Sequence, residues 1–181
     1  CRIFETCGLR VWKVEEISTH GGSLRIYGCH NTDPRVSEDS VSGLLRKEDE
    51  FGLQTLNTYQ GFQSAVLKIK TNLLSFLIER KKEGKTVAAY GAAAKGSTLL
   101  NFAGVRPDLV SCVAEAAISK QGKYLPGSHL PIISPEQLIE MRPDLVLILP
   151  WNLADEIQLQ NDHLSQSGAQ FFTTIPELTF L

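Results

Sequence analysis

Two segments carry the side chains best suited to holding an anion. The first is Tyr90-Gly91-Ala92-Ala93-Ala94-Lys95-Gly96-Ser97-Thr98. Small residues let backbone N–H groups approach a phosphate, and the N-terminus of a following helix adds partial positive charge. Lys95 adds a full charge. Ser97 and Thr98 offer hydroxyls, either to cap that helix or to bond a phosphate oxygen. Neither of the common nucleotide fingerprints is met. No Gly-Lys-Ser/Thr closes a Walker A pattern, and Ala93 stands where G-x-G-x-x-G needs its second glycine. A tight strand-to-helix turn packed with small residues is the competing reading, although such a turn has no need of Lys95.

The second segment is Lys120-Gln121-Gly122-Lys123-Tyr124-Leu125-Pro126-Gly127-Ser128-His129. Its lysines, Tyr124 and Gln121 suit a nucleotide, while Pro126-Gly127 also reads as a simple turn. Glu115 precedes it, where an acidic residue after a strand can bind a ribose hydroxyl. Pro150-Trp151-Asn152 offers a ring for stacking and an amide to cap the next helix, and Trp151 is equally a core residue by type. His20, in Thr19-His20-Gly21-Gly22-Ser23, is a base or ligand by type, but a lone histidine serves more often as a structural group. His30, His129 and His163 show no metal-ligand spacing with it, and no Ser-His-Asp or Cys-His arrangement can be drawn.

Elements able to position these residues follow from the pattern. Residues 86–90, 108–114, 144–149 and 169–173 are short apolar runs that read as buried strands. Between them, helical patterns cover 97 to about 103, a stretch opened by Ser134 and Pro135, and 154–165. Strand and helix alternate, which predicts an α/β Rossmann-like parallel sheet of about four strands with helices on both faces. Residues 91–96 and 119–133 are then loops, and the loops after successive strands gather on one rim. Upstream, apolar spacing of three and four predicts a long amphipathic helix from Phe62 to about Lys82. A charged helix is expected from Val36 to about Gly52. Residues 11–17 and 24–29 read as a hairpin, too little to be stable alone.

Composition narrows the class. The chain has 181 residues, 43% hydrophobic and 21% charged, which suits a globular protein with a core. No apolar run approaches the roughly 20 residues needed to span a bilayer, so no membrane segment is expected. A net charge of −2 gives no support for nucleic acid as a partner. Residues 86–181 hold only 5 basic side chains against 9 acidic ones, so Lys95 and Lys123 stand out there. The four cysteines lack C-x-x-C spacing, which gives no metal site and favours a reducing cytoplasm. Residue 1 is Cys1 and the single methionine is Met141, so the chain is expected to be cut from something longer.

These motifs together resemble one family. Tyr90-Gly91-Ala92-Ala93-Ala94-Lys95-Gly96-Ser97-Thr98-Leu99-Leu100-Asn101 looks like the hallmark of the C-terminal domain of sugar C-methyltransferases. These are S-adenosylmethionine (SAM)-dependent enzymes that methylate a carbon of nucleotide-linked deoxysugars. Lys120 to Gly127 with His129-Leu130-Pro131-Ile132 is similar to a second family motif. Arg142-Pro143-Asp144 with Leu149-Pro150-Trp151-Asn152-Leu153 is similar to a third, and Thr19-His20-Gly21-Gly22-Ser23-Leu24-Arg25 resembles the tail of the preceding methyltransferase domain.

The resemblance implies an organisation. Residues 1–34 would be the tail of a SAM-binding domain and 35–181 a Rossmann-like substrate-binding domain. It implies SAM in the parent enzyme, at a site outside this chain, and zinc in a further N-terminal domain. The catalytic residues would also lie upstream of Cys1. The implied partners are a nucleotide-diphosphate sugar, thymidine-type, and the missing methyltransferase domain. The expected contacts are Tyr90, Gly91, Ala92, Ala93, Lys95, Gly96, Ser97, Thr98, Glu115, Lys123, Tyr124, Trp151, Asn152 and His20. One departure stands out. Glu115-Ala116-Ala117-Ile118 keeps the family's acid but lacks the polar residues that usually follow it. Two rivals remain open on the residues alone: a Rossmann-like domain for NAD(P) or a coenzyme A thioester, and a non-catalytic interaction module.

Overall fold

The structure is a computed structural model that describes residues 1–181. By its contacts the chain divides into two compact units, Cys1–Gln63 and Ser64–Leu181. No helix is long and apolar enough to cross a membrane.

The first unit contains α1 (Arg2–Thr6), β1 (Leu9–Ile17), β2 (Ser23–His30), α2 (Asp39–Glu50) and α3 (Leu56–Gln60). β1 and β2 form the expected hairpin, antiparallel from Leu9 opposite His30 to Ile17 opposite Ser23. The charged helix, expected with residues 35–181, lies here beside the hairpin as α2. The Val14 N–H donates to Ser40 Oγ at 3.2 Å, and Lys47 Nζ meets Glu16 at 2.8 Å. α1 and α3 are too short to show a helical period, so they were not legible. No side chain in this unit is fully buried, as expected of two strands with few layers over them. Between α1, the hairpin and α2 lies an apolar hollow of about 460 Å³, lined by residues such as Phe4, Val14, Ile26 and Leu44.

The second unit starts two residues inside α4 (Phe62–Lys82). Then follow β3 (Val87–Tyr90), α5 (Ala94–Ala103), β4 (Val113–Ala114), β5 (Ile132–Ile133) and α6 (Pro135–Met141). The chain ends with β6 (Leu145–Ile148), α7 (Ala154–Gln160), α8 (Asp162–Gln166), β7 (Gln170–Thr173) and β8 (Thr179–Phe180). The strand order is β5-β4-β3-β6-β7-β8. All neighbours are parallel except β8, which runs antiparallel to β7.

Alternation along the buried strands produces two layers. Val87, Ala89, Leu145, Leu147 and Phe172 face a cluster with Leu73 and Leu77 of α4 and Leu99 and Leu100 of α5. Ala88, Tyr90, Val146, Ile148 and Phe171 face the other side, with Leu138 of α6, Ile157 of α7 and Leu164 of α8. Helices therefore cover both faces, as the apolar strands require.

The sheet has six strands rather than about four, because β5 and β8 are two residues each and too short to show a period. The second expected strand shrinks to Val113–Ala114. Its first part is a turn in which the N–H groups of Leu109 and Val110 both donate to Arg106 O. The helix expected over 154–165 breaks at Asn161, whose side-chain amide donates to Ile157 O at 2.8 Å. α6 begins as expected: Ser134 Oγ accepts from the Gln137 N–H, and Gln137 returns the bond to the Ser134 N–H.

At the other end of the sheet, Asp144 ties β3 to β6. It accepts from Lys85 Nζ at 2.8 Å, the Thr86 N–H at 2.8 Å and Thr86 Oγ1 at 2.9 Å. Lys85 first, and then Thr86, hold its carboxyl down to about 2 from an ordinary 3.8. A depressed folded-state value contributes stability above 3.8 that is lost as pH falls from there towards 2. The melting-temperature gap between the wild type and Asp144→Asn is therefore expected to be open above 3.8 and to close by about pH 2. A gap that stays constant on acidification would contradict the role of this carboxylate.

Candidate functional site

The carboxyl ends of β3, β4 and β6 lie side by side in the sheet, so the segments leaving them share one rim. The turn after β3 is shorter than expected. Only residues 91–93 are non-helical, and Ala94, Lys95 and Gly96 already belong to the first turn of α5. Two glycines make this possible. Gly91 has φ 88°, and a Cβ there would lie 2.6 Å from Pro150 Cδ. A Cβ on Gly96 would lie 2.6 Å from Leu149 Cβ. The first turn of α5 is thereby packed directly against the end of β6.

Every N–H of the 91–93 turn is occupied. Gly91 N donates to Ala114 O at 2.8 Å, Ala93 N to Gly91 O at 2.7 Å, and Ala92 N to Glu115 Oε2 at 2.9 Å. This corrects the expectation that the turn itself offers its amides to a phosphate. Those of the first turn of α5, which a helix does not satisfy internally, are the alternative. Neither Ser97 nor Thr98 caps that helix. The cap is Ala93, without a side-chain bond. Thr98 Oγ1 donates back to Ala94 O at 3.1 Å, and Ser97 Oγ faces Pro126 O at 3.5 Å.

Lys95 reaches across to the segment after β6. Its Nζ lies 3.2 Å from Asn152 Oδ1 and 5.0 Å from the centre of the Trp151 ring. Trp151 is half-buried, at the rim and not in the core. Asn152 does not cap α7, whose N-cap is Leu153 without a side-chain bond. Lys95, Trp151 and Asn152 thus form one cluster beside the α5 N-terminus.

Glu115 sits behind the turn. Besides Ala92 N it accepts from Ala117 N at 3.0 Å and from Lys120 Nζ at 3.1 Å. Burial pushes its carboxyl up, but the Ala117 N–H, the Lys120 ammonium and the Ala92 N–H together outweigh this and leave it below the ordinary carboxylate value. Its oxygens are committed to the protein, which argues against the ribose contact expected of it.

The remaining candidates are more scattered. Lys123 Nζ donates to Ser119 O at 2.7 Å, back into its own loop. Tyr124 pairs with Pro131 through an isolated bridge and is 66% exposed at the surface. Tyr90 is buried within β3. His20 lies in the other unit, in the hairpin turn, with φ 59°. The loop carrying Lys123 and Tyr124 is docked on α5 through Asn101 Nδ2, which donates to Pro126 O at 2.9 Å. In the sequence Asn101 carries no signal of such a role, and Lys120 reads only as one of two loop lysines suited to a nucleotide. Both act through the backbone of a distant segment, which no spacing rule reveals.

The chain matches the C-methyltransferase C-terminal domain over residues 18–176. It belongs to this family. The C-methyltransferase NovU of Streptomyces niveus is 34% identical over 177 residues, an alignment that takes in 98% of this chain and 42% of that protein. The chain thus spans less than half the length of that relative. Among solved structures, UDP-D-quinovosamine 4-dehydrogenase from Vibrio fischeri shares 16% identity, with a TM-score of 0.42 over 54% of this chain and 93% of that one. That likeness is too loose to carry weight. In this C-methyltransferase C-terminal domain, no three His, Cys, Asp or Glu side chains come together in a way that could hold a metal ion. What the rim of the domain brings together is a helix N-terminus, a lysine, an indole and an amide.

Proposed function

We propose that this chain is the nucleotide-sugar-binding part of a SAM-dependent sugar C-methyltransferase, with the diphosphate seated on the first turn of α5. The supporting observation is the cluster at that turn: a helix N-terminus packed flush on β6 through Gly96, with the Lys95 ammonium beside it. The 10-residue α5 is long enough to carry a useful dipole. Trp151 and Tyr124 supply rings for the base or sugar.

The ligand class is a thymidine-type nucleotide diphosphate carrying a deoxy-ketosugar. In the parent enzyme a base would remove the proton next to the sugar ketone, and SAM when bound would supply the methyl group to that carbon, its sulfonium leaving as the neutral thioether S-adenosylhomocysteine. This chain's share is to hold and orient the nucleotide, and on its own it is expected to turn over no SAM. The SAM site and the implied zinc site belong to parts of the parent protein outside these residues, and its place of work is the cytoplasm.

Lys95 lies over the Trp151 ring, so a diphosphate that draws its ammonium away should change the indole's emission. Titration with thymidine diphosphate is expected to give a saturable fluorescence change that disappears in Trp151→Phe. Thymidine, without phosphates to hold it at the seat, should need a far higher concentration to give any change. Trp12, the other tryptophan, lies in the hairpin against Tyr27 and serves as internal background. A flat titration in the wild type would count against the seat.

A further inference from the structure

A carboxylate beside an anion seat opposes its ligand, yet Glu115 places a full negative charge just behind this one. Its Oε2 accepts from the N–H of Ala92, the residue before the α5 N-cap. The partial positive charge that would attract a phosphate also holds this resident carboxylate. Only 14% of the Glu115 side chain is exposed, so water screens it poorly. Left alone, it would repel a diphosphate arriving a residue or two away.

The answering charge is Lys120. Its Nζ lies 3.1 Å from Glu115 Oε2 and also donates to Ala92 O at 3.1 Å. Ala92 is therefore held from both sides, its N–H by the carboxylate and its C=O by the ammonium. The segment that delivers Lys120 is itself fixed. Gln121 Nε2 donates to Glu115 O at 2.8 Å, and the Lys120 N–H donates to Ala117 O at 2.9 Å. The three residues after Glu115 are Ala116, Ala117 and Ile118, none of which carries a charge or a polar side chain. Lys120 therefore has no nearby side chain in that stretch to share its task.

We propose that Lys120 is a positioning residue of the anion seat: it cancels the Glu115 charge and, with Glu115, clamps Ala92 so that the first turn of α5 is presented to a diphosphate. This rests on the nucleotide reading given above. It also assigns Lys120 to the protein side of the site, distinct from Lys95, which faces the ligand.

Two readouts test it. Calorimetric titration with thymidine diphosphate measures the charge effect, and amide exchange at Ala92 measures the clamp. Lys120→Gln is expected to weaken binding about tenfold, the scale of one uncompensated charge beside the ligand, while Lys120→Arg keeps affinity near the wild type. The double variant Glu115→Gln with Lys120→Gln should regain most of the lost affinity, because no unpaired carboxylate remains. A merely structural role for Lys120 would make the double variant at least as weak as the single one. That result, or unchanged binding in Lys120→Gln, would overturn the proposal.

Exchange at Ala92 should be faster in Lys120→Gln than in the wild type. If the wild type binds no thymidine diphosphate, the nucleotide reading falls and exchange alone decides. Faster exchange then upholds the clamp, and unchanged exchange removes it as well.

Discussion

Replacing Lys95 with Gln is expected to weaken thymidine diphosphate binding by about 10- to 100-fold. A hydrogen bond to a charged group contributes about 1.5–3 kcal/mol, and each 1.4 kcal/mol is roughly tenfold in affinity. Lys95 is the basic side chain of the α5 first turn, and the dipole alone is a weaker attraction. The fold should tolerate the change. Lys95 contacts Asn152 and Trp151 at a half-exposed rim, and pairs of that kind contribute at most about 1 kcal/mol. A large loss of affinity with a small change in melting temperature is the signature of a ligand contact. Equal affinity in the variant would move the diphosphate elsewhere.

Gly91→Ala is expected to act oppositely, through the fold. At φ 88° an added Cβ is strained, which costs about 1–2 kcal/mol. It would also meet Pro150 Cδ at 2.6 Å and Cγ at 2.7 Å, both atoms of a stiff ring. Overpacking of that kind adds about 1–3 kcal/mol. The total, about 2–5 kcal/mol, should lower the melting temperature by at least several degrees. Gly122→Ala separates the two causes. Its φ is 73°, but nothing lies within 4 Å of the added atom, so only the strain remains. Thermal unfolding of the three proteins should rank wild type, Gly122→Ala and Gly91→Ala in falling order. Equal losses in the two variants would mean that Pro150 moves aside.

How much of this was legible depends on the length scale of each signal. α4 appears in the sequence with its bounds intact, because 21 residues give many turns of a repeating apolar stripe. β3 and β6 are visible as short apolar runs because both of their faces are covered. β5 and β8, at two residues each, carry no period at all. α5 begins three residues earlier than the sequence suggested. Ala94, Lys95 and Gly96 look like a phosphate loop by composition, yet alanine is also the best helix former, and no capping side chain marks the boundary.

The site divides in a similar way. Lys95 and the strand-end location of Trp151 followed from charge scarcity and topology. Glu115 stands out in the sequence as an acid at a strand end, but its partners in the fold are not visible there. Its oxygens go to Ala92, Ala117 and Lys120, and only the folded register of β3 against β4 brings the first of these within reach. The cluster of Lys95 with Asn152 likewise spans 57 positions of chain. Asn152 looked like a helix cap because nothing in its neighbourhood announces a lysine from the other side of β3.

Isothermal titration of this chain with thymidine diphosphate, NADH and coenzyme A in parallel separates a nucleotide-sugar site from a dinucleotide or thioester site. Saturable heat at one site per chain is expected with thymidine diphosphate, and none with the other two. Heat with NADH or coenzyme A and none with thymidine diphosphate would contradict the nucleotide-sugar site and hand the α5 N-terminus to a different ligand.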